Sequence, residues 1–295
     1  MRHICKEKKN TILRVFFLGC ALTFLYAPIV ILITYSFNES KMVTVWTEFS
    51  LKWYRALAND DAILKALGIS LTIALMSAAM SVVIGTLAAF VMVRVHKFRG
   101  ESTFMLFMTA PMVLPEVITG LALLLLFVTL GDLIPWFSDR GVFAIWCAHV
   151  TFCSAYATVV IRSRFIELDI SVEEAAKDLG AGPIKVFFAI ILPSIMPSEV
   201  AAFLLSFSMS MDDLVITSFV AGPESTTLPM LIFSSVRRGL SPEINALATF
   251  IVGVAALCTF IAWLRVVSRQ KKIAADAAKA AEAARLERQQ MHIVS

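Results

Sequence analysis

The sequence has few charged residues and no alternation of apolar and polar residues of the kind that marks β-strands. Of its 295 residues, 16% are charged and 59% are hydrophobic, whereas soluble domains carry about 25% charged residues. The apolar residues are gathered in long runs, each at or above the roughly 20 residues that a helix needs to cross a bilayer. Since no strand pattern is present to close a barrel, these runs predict an all-α membrane protein.

The sequence also lacks the patterns of several chemical sites. Its five cysteines are an odd number and include no Cys-x-x-Cys pair, so neither a disulfide framework nor a metal site is expected. Cys147, His149 and Cys153 lie close together, but their spacing puts them on different faces of a helix. No glycine precedes Lys-Ser or Lys-Thr in the frame of a phosphate-binding loop, so the chain is not expected to hydrolyse ATP itself.

Six runs are predicted to span the membrane. They cover residues 11–35, 66–93, 103–130, 142–161, 197–221 and 244–267. This arrangement divides the basic residues 19 to 7 in favour of the side that holds both termini, and the positive-inside rule makes that side the cytoplasm. The net charge of +4 follows from this asymmetry and does not indicate nucleic acid. We expect one transmembrane domain over residues 1–270 and a cytoplasmic tail over 271–295.

A short polar segment interrupts the apolar sequence between the fourth and fifth predicted spans. Ser171 is followed three residues later by Glu174, which is the pattern of a capping box. Gly180 offers a left-handed end to this first helix. Pro183 suits the first position of a second helix, which we expect to end at Pro193, before the fifth span. The segment therefore predicts a helix-turn-helix whose apolar residues need a partner surface.

This segment resembles the coupling loop of the permease subunits of bacterial ABC importers. The family pattern is Glu-Ala-Ala, three residues, Gly, nine residues and Ile-x-Leu-Pro. The chain keeps every spacing, and the residues expected to couple it to an ATPase are Glu174, Ala175, Ala176, Gly180, Ile190, Leu192 and Pro193. The resemblance implies the type I importer permease fold, with six transmembrane helices and a cytoplasmic coupling helix-turn-helix at about 171–193, named the EAA loop below. In that family the loop docks into the ATPase subunit and transmits its closure.

Other segments resemble the polyamine branch of this family, and most of all the second permease subunit of putrescine importers. They are residues 24–28, 35–38, 212–216, 227–230 and 242–247. The resemblance implies ATP-driven import of a polyamine, expected to be putrescine, across the bacterial inner membrane into the cytoplasm. It implies four partners besides lipid: two ATPase subunits carrying ATP and Mg, a second, related permease subunit and a periplasmic polyamine-binding protein. No cofactor on this chain is expected.

Two alternatives remain open at this point. The chain could be the permease of an ABC importer for another small solute. It could also be a secondary transporter, which would need internal repeats and broken helices around a binding site. Dependence of uptake on ATP, as opposed to an ion gradient, separates the second alternative from an ABC importer.

Three carboxylates are predicted within the spans, at Glu116, Asp212 and Asp213. Acids inside a membrane are costly and by default indicate function, so one hypothesis is that all three face a central cavity in the path of a dication. The alternative is that each acid bonds a neighbouring helix. Asp212 and Asp213 point about 100° apart on a helix, so they cannot share a proton as a catalytic dyad does, and no catalytic residue is expected.

Two further patterns concern the helices that carry these acids. A polar stripe recurs at helical spacing in the fifth span and predicts a water-facing side. Its members are Ser206, Ser210, Asp213 and Thr217. In the third span, Pro111 and Pro115 precede Glu116 and predict a kink in the helix.

Two remaining patterns predict packing and surface contacts. Small residues recur at every fourth position of the second span, at 77, 81, 85 and 89, which favours close helix packing. The outer loop, residues 36–65, carries Trp46, Phe49, Trp53 and Tyr54. Such residues favour the membrane interface, so we expect the loop to anchor the chain there or to touch an external protein.

Overall fold

In the computed structural model, the described residues are 2–42, 45–95, 98–134, 140–239, 242–261, 263–265 and 267–268. Within them the chain is helical, with one isolated antiparallel bridge between Asn38 and Phe49. The helices are α1 Arg2–Ser36, α2 Lys52–Ala58, α3 Asp61–Arg94, α4 Glu101–Val113, α5 Glu116–Gly131, α6 Val142–Glu167, α7 Ile170–Asp178, α8 Pro183–Val186, α9 Leu192–Asp212, α10 Val215–Val220, α11 Leu228–Arg238 and α12 Pro242–Arg265. The predicted tail, 271–295, lies outside the described residues.

The chain divides into two compact units. The first comprises Met1–Asn59 and Leu240–Ser295, and it holds α1, α2 and α12. Its two long helices are apolar and exposed: none of the apolar window of α1 is buried, and 6% of that of α12 is. The second unit, Asp60–Gly239, holds the remaining helices, the EAA loop and all three predicted acids.

The long helices agree with the predicted membrane architecture. Five described helices are long and apolar enough to cross a bilayer, and a bent pair brings the number to six if it forms one span. The bent pair is α4 with α5, which meet at an angle of 114°. The predicted kink is therefore a complete break. Leu114 adopts ψ 138° because the ring of Pro115 disfavours the helical conformation in the residue before it.

The fifth span differs from the prediction at both ends. A continuous 30-residue helix runs from Pro183 to Asp212, so the expected end at Pro193 is wrong. A π-helix over Phe187–Ile191 changes the hydrogen-bond register just where Pro193 has no N–H to donate, and the helix passes the proline. The expected continuation to residue 221 is also wrong, because Asp213 has φ −65° and ψ 123° and separates α9 from α10.

Small residues hold the centre of the second unit together. Ser77, Ser81 and Ala89 on α3 are fully buried, and a Cβ added to Gly85 would lie 2.9 Å from the Cβ of Ala157 on α6. This confirms the close packing that the spacing of small residues predicts. Helix α3 is also long: its 34 residues extend about 50 Å at 1.5 Å per residue.

Two apolar clusters lie along α3 and α6. One combines Ile73 of α3 with residues of α5, α6 and α10, including Phe152 and Ile216. The other combines Ala89 of α3 and Phe165 of α6 with residues of α8, α9 and the π-helix. The EAA loop is thus anchored in the second cluster, and α3 contributes to both.

Candidate functional site

The first helix of the EAA loop begins one residue earlier than its predicted cap. Helix α7 starts at Ile170, and the Asp169 side chain accepts a hydrogen bond from the Ser171 N–H at 2.9 Å. The hydrogen bonds from Ser171 hold the pKa of Asp169 below its usual range. The predicted capping box of Ser171 and Glu174 is therefore wrong: an aspartate, which is an equally good cap, precedes the serine and takes the position.

The turn of the EAA loop has the predicted conformation. Gly180 has φ +84°, in the left-handed region that glycine reaches without a Cβ clash. The Gly180 N–H donates to Lys177 O at 2.8 Å, and the Ala181 N–H donates to Ala176 O at 3.0 Å. This pair of bonds is a Schellman motif, and it satisfies carbonyls that the end of α7 would otherwise leave free.

The predicted coupling residues lie on two sides of the loop. Those that are exposed are Glu174, Ala175, Gly180 and Pro193, and those that are half-buried are Ala176, Ile190 and Leu192. Beside them lie three exposed apolar side chains: Leu179 is 89% exposed, Ile184 74% and Phe188 62%. Together they present an apolar surface around the turn.

A buried ion pair joins the EAA loop to α3, and sequence reasoning missed it. Arg94, the last residue of α3, lies 2.7 Å from the Glu173 carboxylate through Nη2 and donates to it through Nε at 2.8 Å. Nη2 also donates to Leu168 O at 3.3 Å. The only signal in the sequence is the pair of adjacent glutamates, since neighbours on a helix point about 100° apart. One of them, Glu173, faces inward while Glu174 is exposed.

The three predicted acids line one cavity of about 300 Å³, as the sequence predicts. The cavity lies where both helix breaks meet. From the first break come Glu116 and Leu114, and from the second come Asp212 and Asp213. Phe152 and Tyr156 of α6 complete one wall. These breaks leave irregular backbone beside the cavity.

Asp213 is held by protein groups from two elements. Its carboxylate accepts from the Ile216 N–H at 3.3 Å, from the Thr217 N–H at 2.8 Å and from the Thr217 hydroxyl at 2.6 Å. His149 Nε2, on α6, lies 3.3 Å from the same carboxylate. Asp213 therefore caps α10 and fixes the break to α6.

Each ring nitrogen of His149 has a hydroxyl partner. Its Nε2 lies 2.9 Å from Thr217 Oγ1, and its Nδ1 lies 2.6 Å from Ser210 Oγ. Because the Thr217 hydroxyl gives its one hydrogen to Asp213, Nε2 carries a hydrogen and donates it to Thr217 Oγ1. Nδ1 pairs with the Ser210 hydroxyl, so both ring nitrogens of this buried side chain have a partner.

This network corrects the predicted polar stripe. Ser206, Ser210 and Thr217 are buried, so they do not form a water-facing side. Ser210 and Thr217 bond His149 instead. The helical spacing on which the prediction depended also fails at Asp213, which lies outside the helix.

The other two acids face outward from this network. Glu116 is the first residue of α5, and Asp212 is the last residue of α9. Both are exposed, and neither carboxylate is bonded by another residue of the described part of the chain. A fourth acid, Glu199 on α9, accepts from the Thr86 hydroxyl at 3.2 Å. It falls inside the predicted fifth span, and sequence reasoning overlooked it.

In the other unit, the loop that follows α1 is organised around one asparagine. Asn38 is buried; its Nδ2 donates to Val45 O at 2.7 Å and its Oδ1 accepts from the Thr47 N–H at 2.9 Å. Trp53 Nε1 donates to Asn38 O at 2.8 Å. Phe49 remains 69% exposed, so the loop presents an aromatic side chain outward.

Comparison with known proteins identifies the family of this chain. Residues 81–273 match the family described as binding-protein-dependent transport system inner membrane component. The chain is 55% identical over 267 residues to the putrescine transport system permease protein PotI of Escherichia coli (strain K12), covering 90% of this chain and 95% of that protein. It is 40% identical over 241 residues to the spermidine/putrescine transport system permease protein PotC of the same strain, covering 82% and 89%.

A solved structure shares the fold. A chain in the crystal structure of a bacterial ABC transporter involved in the import of the acidic polysaccharide alginate matches with a TM-score of 0.68. The match covers 87% of this chain and 96% of that chain, at 14% sequence identity. With the family match and the 55% identity, the conclusion is that the chain belongs to the inner-membrane components of binding-protein-dependent transport systems, the permease subunits of ABC importers.

Proposed function

We propose that this chain is a permease subunit of an ATP-driven importer that moves a polyamine, with putrescine as the leading solute, from the periplasm to the cytoplasm. The observation that carries the proposal is the 55% identity to a putrescine permease over 90% of the chain. The chain is a transport subunit, and ATP and Mg are bound by a separate ATPase.

The acidic cavity is proposed as part of the translocation path. Irregular backbone at membrane depth is tolerated where it is buried in protein or lines a water-filled cavity, and both helix breaks border this one. Glu116 and Asp212 offer negative charge to a dication that leaves bulk water. Asp213 adds its charge from the cavity wall while it caps α10. Binding here must be weak enough for release, so most specificity is assigned to the external binding protein.

The EAA loop is proposed to dock on the ATPase dimer. Its exposed apolar residues are Leu179, Ile184 and Phe188. Exposed apolar patches mark interaction sites, so these side chains are proposed to be buried against the ATPase. Glu174 lies exposed nearby and offers a charged contact at the rim. The second cluster under the loop supports it from behind, so docking does not require the loop to fold first.

The remaining partners follow from the orientation. With 19 of the basic residues on the side of the termini, both termini are assigned to the cytoplasm, and the loop after α1 faces the periplasm. We assign the exposed Phe49 and Trp46 of that loop to the polyamine-binding protein. Lipid and a second, related permease subunit cover the exposed α1 and α12. Reporter fusions after Asp60 and after Arg238 should read external, and a cytoplasmic signal at either place would overturn the map.

Uptake into vesicles tests the proposed function. The complete complex, with the ATPase, the second permease and the binding protein, is assayed with labelled putrescine, spermidine and an unrelated neutral solute. We expect putrescine uptake only with hydrolysable ATP, and none of the neutral solute. Uptake of the neutral solute in preference to both polyamines would contradict the proposal.

Two observations add a second solute and a second energy source to the uptake assay. The 40% identity to a spermidine/putrescine permease makes spermidine the second solute to measure. The two broken helices are a feature of secondary transporters as well, so the assay includes an ion gradient without ATP. Uptake driven by the gradient alone would favour a secondary transporter.

A further inference from the structure

The buried ion pair of Arg94 and Glu173 differs from an ordinary surface pair. Their side chains are 12% and 7% exposed. The next pair along the chain, Arg164 and Glu167, has a similar separation of 2.8 Å, but its side chains are 40% and 65% exposed. Burying two charges costs desolvation that their attraction barely returns, and apolar residues in the same place are often as stable. Stability alone therefore does not account for this pair.

The position of the pair suggests its role. Glu173 and Glu174 are neighbours on α7, but Glu173 turns inward to α3 while Glu174 stays exposed beside the apolar docking surface. Arg94 binds both Glu173 and the carbonyl of Leu168, the C-cap residue that follows α6. One guanidinium thus fixes the start of the EAA loop to the end of α3 in a defined orientation, which a rigid planar fork does better than an ammonium.

Helix α3 extends from this pair to the cavity. From Arg94 to Ile73 it runs 21 residues without a break, about 31 Å at 1.5 Å per residue. Ile73 packs in the cluster that contains Phe152 and Ile216, and both of these line the acidic cavity. One helix therefore connects the EAA loop to the cavity wall.

We propose that Arg94 and Glu173 are positioning residues that transmit displacement of the EAA loop through α3 to the wall of the cavity. The inference rests on the proposed function, in which an ATPase moves the loop. Docking uses the exposed side of α7, and transmission uses its buried side, so the two can be separated by substitution.

The test replaces the pair without leaving a lone buried charge. The variant Arg94→Met with Glu173→Leu keeps the volume apolar, and the charge-exchanged variant Arg94→Glu with Glu173→Arg restores an ion pair. The control is Arg164→Gln with Glu167→Gln, which removes the exposed pair. Each is measured in the complete complex for co-purification of the ATPase, ATP hydrolysis and putrescine imported per ATP hydrolysed.

We expect the apolar variant to retain the ATPase and to lose about two- to thirtyfold in putrescine imported per ATP, the range that mutations along a coupling route span. The charge exchange should recover part of that loss, and the control should match the wild type. A wild-type ratio in the apolar variant would overturn the inference, because a merely stabilising pair leaves the ratio unchanged. Failure of both pair variants to assemble would also overturn it. If the wild-type complex itself imports no putrescine, the proposed function fails instead.

Discussion

Regular helices are interrupted both at the EAA loop and beside the acidic cavity. The side chains exposed at the loop are apolar, whereas those exposed at the cavity are acidic. The loop exposes the apolar Leu179, Ile184 and Phe188 around its turn. The cavity exposes the carboxylates Glu116 and Asp212. An exposed apolar patch is covered by another protein. Carboxylates in a membrane protein that have no protein partner contact water or a cation instead. The contrast is the basis for proposing a protein partner at the loop and a cationic solute at the cavity.

The two interruptions are also stabilised differently. At Gly180 the backbone itself is permissive, because glycine adopts φ +84° without a Cβ. At Asp213 the backbone is ordinary, and side-chain bonds to Thr217 and His149 keep the helices apart. Substitutions should therefore act through backbone strain in the loop and through lost hydrogen bonds at the cavity.

The largest effect is expected from Gly180→Val. A β-branched residue at φ +84° carries strain of about 1–3 kcal/mol and disrupts the turn that presents Leu179. Uptake by the assembled complex should fall close to background. The control is Gly182→Ala, because Gly182 has φ −67° and open space for a Cβ. Equal uptake by both variants would show that the turn has no part in docking.

A second large effect is expected at Asp213. Asp213→Leu removes the acceptor of the Thr217 N–H and of the Thr217 hydroxyl and leaves these buried polar groups without that partner, at about 1–3 kcal/mol for each. Asp213→Asn keeps one oxygen acceptor and removes the charge. We expect the leucine variant to assemble poorly, and a thermal-unfolding assay of the complex measures the loss of stability. The asparagine variant should assemble, but with reduced putrescine flux. If the asparagine variant transports normally, Asp213 is a structural partner only, and its place in the path is wrong.

A smaller effect is expected when both exposed cavity acids are neutralised. Glu116→Gln with Asp212→Asn keeps size and polarity, and neither carboxylate is bonded by another described residue, so stability should change by less than about 0.5 kcal/mol. Putrescine flux should fall several-fold while the ATPase stays bound. The matched control is Asp132→Asn, an exposed acid outside the cavity. Equal flux in the two variants would remove the cavity from the path.

The smallest effect is expected from Leu179→Ala. Leu179 is 89% exposed in the isolated chain, so the stability of the chain should be unchanged. If the side chain is buried on docking, its loss weakens ATPase association by about 1–2 kcal/mol, or roughly five- to thirtyfold. Titration of the ATPase onto the permease measures this, with Leu133→Ala, an exposed leucine just after the end of α5, as control. A strengthened or unchanged association would place the docking surface elsewhere.

Local sequence predicted features that depend on local chemistry. The left-handed turn at Gly180 and the close packing at Gly85 each follow from residue type and spacing. The end of α9 was missed, although Asp213 is a good helix cap and accepts from the Thr217 N–H of α10. A cap residue inside a long apolar run does not by itself end a helix, and the His149 that also faces Asp213 is distant in sequence.

The other differences between the predicted and the observed structure have separate causes. Asp169 and Ser171 are both good helix caps, so local preference does not choose between them, and the aspartate accepts the bond. A π-helix carried α8 into α9 past Pro193, although proline ordinarily ends a helix. Arg94 and Glu173 are ordinary polar residues in sequence, and only the fold brings them together.

One measurement tests the division of roles most directly: ATPase retention and labelled putrescine uptake determined in the same vesicles for a loop variant and a cavity variant. The loop variant is Glu174→Lys, which reverses an exposed charge beside the docking surface, and the cavity variant is Glu116→Gln with Asp212→Asn. We expect the loop variant to lose both ATPase retention and uptake, and the cavity variant to retain the ATPase while its putrescine uptake falls several-fold. Normal uptake by the cavity variant, or normal retention and uptake by the loop variant, would contradict it.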